Sequence, residues 1–174
     1  CSSAAIAAAP IYAAARLAVI FPAARHPRIT EQRTAPLIFR LAPREDRLAD
    51  DLAAVIRKRF PGHRAAIVHD RSAQAVRLVD AIEAALARDG IRLALREAYT
   101  HGEKSYDALV TRLERSEASV VVIPTQPIEA GIIARRLSER LPGARLIVGD
   151  AVAVPGLEGL IAALGTRLWV MLPW

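Results

Sequence analysis

Cysteine occurs once in this sequence of 174 residues, at position 1, so no disulfide can form within it. The four histidines, His26, His63, His69 and His101, stand apart and share no ligand spacing, so no metal cluster of Cys and His is expected. Aromatic residues make up only 5%, and Ala, Leu, Val and Ile must fill whatever core exists. Lysine is almost absent: Lys58 and Lys104 are the only two, and the net charge of +6 comes from arginine. Those arginines are dispersed among acids, as in Arg44-Glu45-Asp46-Arg47, and no dense basic run with interleaved aromatics appears. No nucleic-acid partner is expected. No apolar run approaches the roughly 20 residues that cross a bilayer, so no membrane insertion is expected either.

Catalytic signatures are missing as well. No G-x-G-x-x-G follows a strand, no G-x-x-x-x-G-K-[ST] phosphate loop occurs, and no G-x-S-x-G nucleophile elbow is found. The sequence reads as a non-enzyme, with no catalytic residue, no metal site and no cofactor.

What is present is the composition of a folded domain, 53% hydrophobic and 24% charged. Residues 3–16 are Ala-rich and read as a helix that Pro10 must interrupt or restart. Leu17 to Phe21 suits a buried strand, 23–35 a loop, and Pro36 to Arg40 a second short strand. From Asp46 the chain alternates. A helix to Phe60 carries Leu48, Leu52, Val55 and Ile56 on one face, and Pro61-Gly62 stops it. Ala65 to His69 is a strand, and 72–89 is a helix with Val76, Val79, Ile82 and Leu86 at helical spacing, stopped by Gly90. Ile91 to Ala98 is a strand and Tyr106 to Arg115 a helix. Val120 to Ile123 has no polar break and belongs at the centre of a sheet covered on both faces. Pro127 to Leu141 is a helix, Leu146 to Val148 a strand, Leu157 to Leu164 a short helix, and Leu168 to Leu172 the last strand. This alternation predicts an α/β fold with a Rossmann-like, doubly wound parallel sheet.

In such a sheet, ligands bind outside the carboxyl ends of the strands, where helix N-termini converge. That rule selects Asp70, Arg71, Ser72 and Gln74 after one strand, Thr125 and Gln126 after the next, and Gly149-Asp150 after a third. Together they suit a small polar or zwitterionic ligand. Each has a plainer role too: Ser72 as a helix cap, Asp70 as a strand end or partner of Arg71. Asp150 follows an apolar strand and a glycine, so its carboxylate needs a partner or an entering cation.

Several segments then fall into a known order. Thr100-His101-Gly102-Glu103-Lys104-Ser105-Tyr106-Asp107-Ala108-Leu109 resembles the G-E-K-D-[FY]-S-A-L segment of branched-chain amino-acid-binding proteins, the leucine-binding family of type I periplasmic solute-binding proteins. Cys1-Ser2-Ser3 with Ile11-Tyr12, Pro22-Ala23-Ala24 with Pro27 and Thr30, and Phe39-Arg40 through Asp46 resemble earlier segments of that family. Ala66 to Asp70, Glu129-Ala130-Gly131 and Val148-Gly149-Asp150 resemble later ones. The resemblance implies two Rossmann-like lobes with a ligand clamped between them. Residues 1–43 would be a remnant of the first lobe and the hinge, and 44–174 the second ligand-binding lobe. It also places Cys1 inside a longer protein rather than at a lipid-anchored terminus, and in the family the matching cysteine often pairs with an upstream one.

By this resemblance the chain is expected to bind an amino acid or related small acid or amide for an ABC-type importer in the periplasm, with the transporter permease as partner. The alternative is a degenerate, sensory or regulatory module of the same fold without transport activity. Ser2, Ala23 and the next-but-one position hold the ligand's head group in the family, where that last position is usually Thr; here it is Arg25, whose guanidinium also suits a carboxylate. Asp150 keeps the acid that would receive an α-ammonium, Gln74 and Gln126 would line the side-chain pocket, and Ser72 stands as a ligand contact by its position after the strand. The family's Tyr-Gly lid is replaced by Gln74-Ala75, an aromatic near Gln126-Pro127 is absent, and Leu48-Ala49 stands where a Q-G pair is common.

Overall fold

The run Val120–Ile123 lies at the middle of a five-stranded sheet, with all four residues buried, as its unbroken apolar character requires. A computed structural model describes residues 2–31, 36–124, 127–149, 159, 162 and 164–171. In chain order it shows α1 (Ser2–Ala14), β1 (Val19–Phe21), α2 (Arg28–Glu31), β2 (Ile38–Arg40), α3 (Glu45–Arg59), β3 (Ala65–Asp70) and α4 (Ala73–Arg88). These are followed by β4 (Leu95–Tyr99), α5 (Asp107–Arg115), β5 (Val120–Ile123), α6 (Pro127–Arg140), β6 (Arg145–Gly149), a 3-10 turn (Gly165–Arg167) and β7 (Leu168–Met171). One compact unit ends at Leu48 and a second begins at Ala49.

In the second unit the strand order is β4-β3-β5-β6-β7, and every pairing is parallel. Side chains alternate across the sheet with the period of two that a strand imposes. Ala66, Val68, Val121, Ile123, Leu146 and Val148 pack on one face with Leu109, Val110 and Leu113 of α5 and Ile133, Ala134 and Leu137 of α6. Ala65, Ile67, Val120, Val122 and Ile147 pack on the other with Leu52 and Ile56 of α3 and Val79, Ile82 and Leu86 of α4. The sheet is therefore doubly wound. Helix α4 ends where Gly90 adopts φ +73, with Ile91 N–H bonding to the Leu86 carbonyl and Gly90 N–H to that of Ala87. This is the paired closure that a left-handed glycine permits.

The first unit holds a much smaller core: Ala5, Ala9, Ala24, Ile29 and Ile38, with Ile6, Val19 and Phe21 against them. Its two strands pair in parallel, Val19 with Ile38 and Ile20 with Phe39. Here the sequence expectation of a buried strand needs correction. Ile20 is 63% exposed and its cross-strand partner Phe39 46%, while Leu41 just beyond is 74% exposed. An apolar run is compatible with burial on both faces, but this unit supplies cover for only one. Pro10 does not interrupt α1, which runs unbroken from Ser2 to Ala14. The proline removes one backbone donor, and the rest of the ladder, with Ala5 and Ala9 buried, carries the helix past it. The expected loop at 23–35 contains the short α2. The helix read over Leu157 to Leu164 lies mostly outside the described residues, although Leu164 itself is buried in the α5/α6 core.

Candidate functional site

The strand order places a topological switch between β3 and β5. The chain leaves β3 for α4 on one face of the sheet, and leaves the adjacent β5 for α6 on the other. Neighbouring strands whose following helices diverge leave a crevice between their carboxyl ends, the usual ligand position in open α/β sheets. Asp70 ends β3 and is buried, and its Oδ1 accepts the backbone N–H of Ser72 at 2.9 Å. Ser72 is the N-cap of α4, with φ −63 and ψ 145, and its Oγ accepts the N–H of Ala75 at 3.1 Å. The capping role considered from sequence is thus realised for Ser72. Arg71, Ser72 and Gln74 are all exposed at this edge. His69, buried beside them, approaches the Asp70 carbonyl through Nδ1 at 2.6 Å; since a carbonyl only accepts, the proton is on Nδ1.

Gln126 and Asp150, with Thr125, lie outside the described residues. The strands that deliver them are described. β5 and β6 run in register, Ile123 beside Val148, and a Cβ at Gly149 would meet the Pro124 backbone at 3.8 Å. Both strands leave the sheet side by side at the same edge as Asp70.

The other predicted contacts belong to the first unit. Ser2 opens α1, and its Oγ accepts two backbone N–H groups, from Arg25 at 3.1 Å and His26 at 3.3 Å. The Arg25 carbonyl in turn accepts the N–H of Glu45 at 3.0 Å. Ser2 and Arg25 are therefore brought together and Ala23, exposed, is two residues away. A serine oxygen has two acceptor positions and one proton. With both acceptor positions engaged, the Ser2 hydroxyl offers its proton, beside the N-terminus of a thirteen-residue helix. That combination suits an anion such as a carboxylate.

Sequence reasoning gave no separate role to Glu129, read only as part of a family segment. It is buried on the first turn of α6, with Oε1 2.6 Å from Nδ1 of His101. The signal was available: an acid as third residue of a helix that follows a strand occupies the position that reaches back to a helix start.

The fold and this edge geometry define a class: a type I periplasmic-binding-protein-like α/β lobe, accompanied by part of a second. Residues 1–138 match the receptor family ligand binding region. The chain belongs to that family. It is 32% identical over 157 residues to an amino acid binding protein of Pseudomonas aeruginosa, covering 90% of this chain and 42% of that protein. It is 33% identical over 135 residues to the Leu/Ile/Val-binding protein BraC3 of Rhizobium johnstonii, covering 78% and 36%. The chain thus spans about two fifths of the length of the curated relatives it matches. Among solved structures, the leucine binding protein LivK of Thermotoga maritima superposes with a TM-score of 0.72 at 18% identity, over 95% of this chain and 46% of that one. An ABC transporter substrate-binding protein from Desulfitobacterium hafniense in complex with Leu gives 0.69 at 21%, over 87% and 45%. These likenesses establish the type I periplasmic-binding fold.

Proposed function

We propose that this chain is the ligand-binding part of a periplasmic, non-catalytic substrate-binding component of an ABC-type importer, taking a branched-chain amino acid or a related small acid or amide and handing it to a permease. The observation that carries this reading is the Ser2 hydroxyl: its oxygen accepts the Arg25 and His26 amides, so the role remaining to it toward a ligand is as a donor to an anionic head group. The relatives named Leu/Ile/Val-binding protein support an amino acid as that ligand. Ser2, Ala23 and Arg25 would hold the carboxylate. Asp150 would take the α-ammonium, and Ser72, Gln74 and Gln126 would line the side-chain pocket. In this reading residues 1–43 are the remnant of a first lobe and its hinge, and 44–174 the second lobe. The outward Ile20 and Phe39 support that division, because a two-stranded sheet with a bare apolar face is an incomplete layer.

The test is a pair of ligands in calorimetry, leucine and its deaminated acid, 4-methylpentanoate, against the protein and its Asp150→Ala variant. The variant should lose leucine affinity by tenfold or more while its affinity for the plain acid changes little. Equal loss for both would remove Asp150 from the ammonium role, and no binding of either by the parent protein would remove the amino-acid reading itself.

A further inference from the structure

The amino edge of the five-stranded sheet, opposite the candidate ligand edge, gathers cations that the sequence disperses. In a parallel sheet all strands start at one edge, and the helices that run back against them end there. β3, β5 and β6 begin level with one another. The Arg64 carbonyl accepts the N–H of Ser119 at 2.9 Å and of Val120 at 3.1 Å, and the Ser119 carbonyl accepts that of Arg145 at 2.9 Å. Lys58 and Arg59 close α3, Arg115 closes α5, Arg92 precedes β4 and Arg145 opens β6. Cations suit helix C-termini because the backbone there carries roughly half a negative charge, too little to cancel them. The acids of this edge are already taken: Asp89 by Arg57, Glu114 by Arg140, Glu117 by Arg64 and Glu139 by Arg136. Lys58, Arg59, Arg92 and Arg115 are exposed and make no ion pair among the described residues. Arg145 meets no acid among them either; its guanidinium lies 5.7 Å over the Phe60 ring. The carboxyl edge differs, since Arg71 and Lys104 there directly follow Asp70 and Glu103.

We propose that this edge is a docking face for an anionic phospholipid surface, which it meets by charge and without insertion. The cations stand on separate elements along a level edge, an arrangement that matches a plane of phosphates rather than a single one. The exposed large apolar side chains of the described residues lie elsewhere, in the first unit or, as Ile128 and Ile132, toward the start of α6. The apolar centre of a protein interface and the apolar face of an inserted anchor are both missing here. The aromatics of the edge are engaged as well: Phe60 and Trp169 pack edge-on with ring centroids 5.2 Å apart, instead of standing free to stack on bases. Each cation held near an anionic membrane strengthens adsorption about fivefold. A lobe held by its amino edge keeps its carboxyl edge turned to solution. In an importer, the binding component would then wait at the membrane with its ligand edge open. That consequence rests on the function proposed above, whereas the adsorption does not.

The test is co-sedimentation of the full chain with vesicles of phosphatidylcholine, alone or mixed with phosphatidylglycerol. The chain should bind the anionic vesicles and not the neutral ones, and should be released as salt rises from about 0.05 M to about 0.5 M and screening tightens. Arg92→Gln combined with Arg115→Gln should weaken this binding about 25-fold. Arg77→Gln combined with Lys104→Gln removes the same charge away from the edge and should weaken it far less. All four side chains are exposed and unpaired among the described residues, so both variants keep the fold. No binding to the anionic vesicles, or equal loss in the two double variants, overturns the docking face. Binding to polyglutamate without binding to vesicles also overturns it, in favour of an acidic protein. A leucine titration with and without anionic vesicles separates the two claims. Affinity unchanged by the vesicles upholds docking by the opposite edge, and affinity lost on adsorption overturns it. A chain that adsorbs and binds no leucine keeps the docking face and removes the function proposed above.

Discussion

Asp70 and Ser72 form a closed relay at the carboxyl edge of the sheet: the Asp70 carboxylate accepts the Ser72 N–H, and the Ser72 hydroxyl accepts that of Ala75. The strand end and the helix start are thereby tied by two side chains within three residues. The same edge is where the ligand is expected, so Ser72 is held in place by one task while positioned for another.

This dual position can be separated by substitution. Ser72→Ala removes the cap of α4 and should cost about 1 kcal/mol of stability in urea denaturation. Ser72→Asn restores a capping oxygen and should recover most of that loss, since Asn caps as well as Ser. If Ser72 also touches the ligand, the Asn variant will fold like wild type and still bind leucine less tightly. Wild-type stability with wild-type affinity would confine Ser72 to capping.

A second prediction concerns Ser2, whose oxygen serves two half-buried amides. Ser2→Ala leaves both N–H groups without that acceptor, an omission worth about 1–3 kcal/mol when groups are buried and less where water can reach them. The amides of Arg25 and His26 should exchange with solvent faster in the variant, and their neighbours in α1 should not. Unchanged exchange at both would show that the Ser2 contact does not hold this backbone in solution.

Much of this arrangement was legible from the residues. The strand–helix alternation after Asp46 was readable because its central strand, Val120 to Ile123, is apolar over its whole length and its helices repeat apolar residues at 3.6, as in Val79, Ile82 and Leu86. The strand ends then located the edge without any motif. The first unit was less legible. A run such as Leu17 to Phe21 states that its side chains prefer burial, and says nothing of whether cover exists, so Ile20 reads as an inside residue although it is exposed. Nor does sequence report which buried acid meets which exposed base. His101 and Glu129 are 28 residues apart in sequence and meet only because β4 and β5 flank β3 on opposite sides, which brings the turn before α5 to the start of α6.

The Tyr106 phenol offers a last and independent check of Glu129. It packs edge-on against Tyr99, with ring centroids 5.4 Å apart at 84°. Its ionisation lies above the ordinary value of 10.0, from burial first and then from the negative charge of Glu129. Because the folded state holds this proton more tightly than the unfolded chain, the associated stability is present below pH 10 and disappears as pH rises through the folded value. Glu129→Gln removes the charge and leaves the burial, so the Tyr106 titration should move down part of the way and no further. Phenolate absorbance, with Tyr106→Phe subtracted to isolate this ring from Tyr12 and Tyr99, reads the shift directly. A downward movement would place a negative charge at Glu129 beside the ring in the folded protein at alkaline pH. No movement would mean that Glu129 does not face Tyr106 as a negative charge in solution.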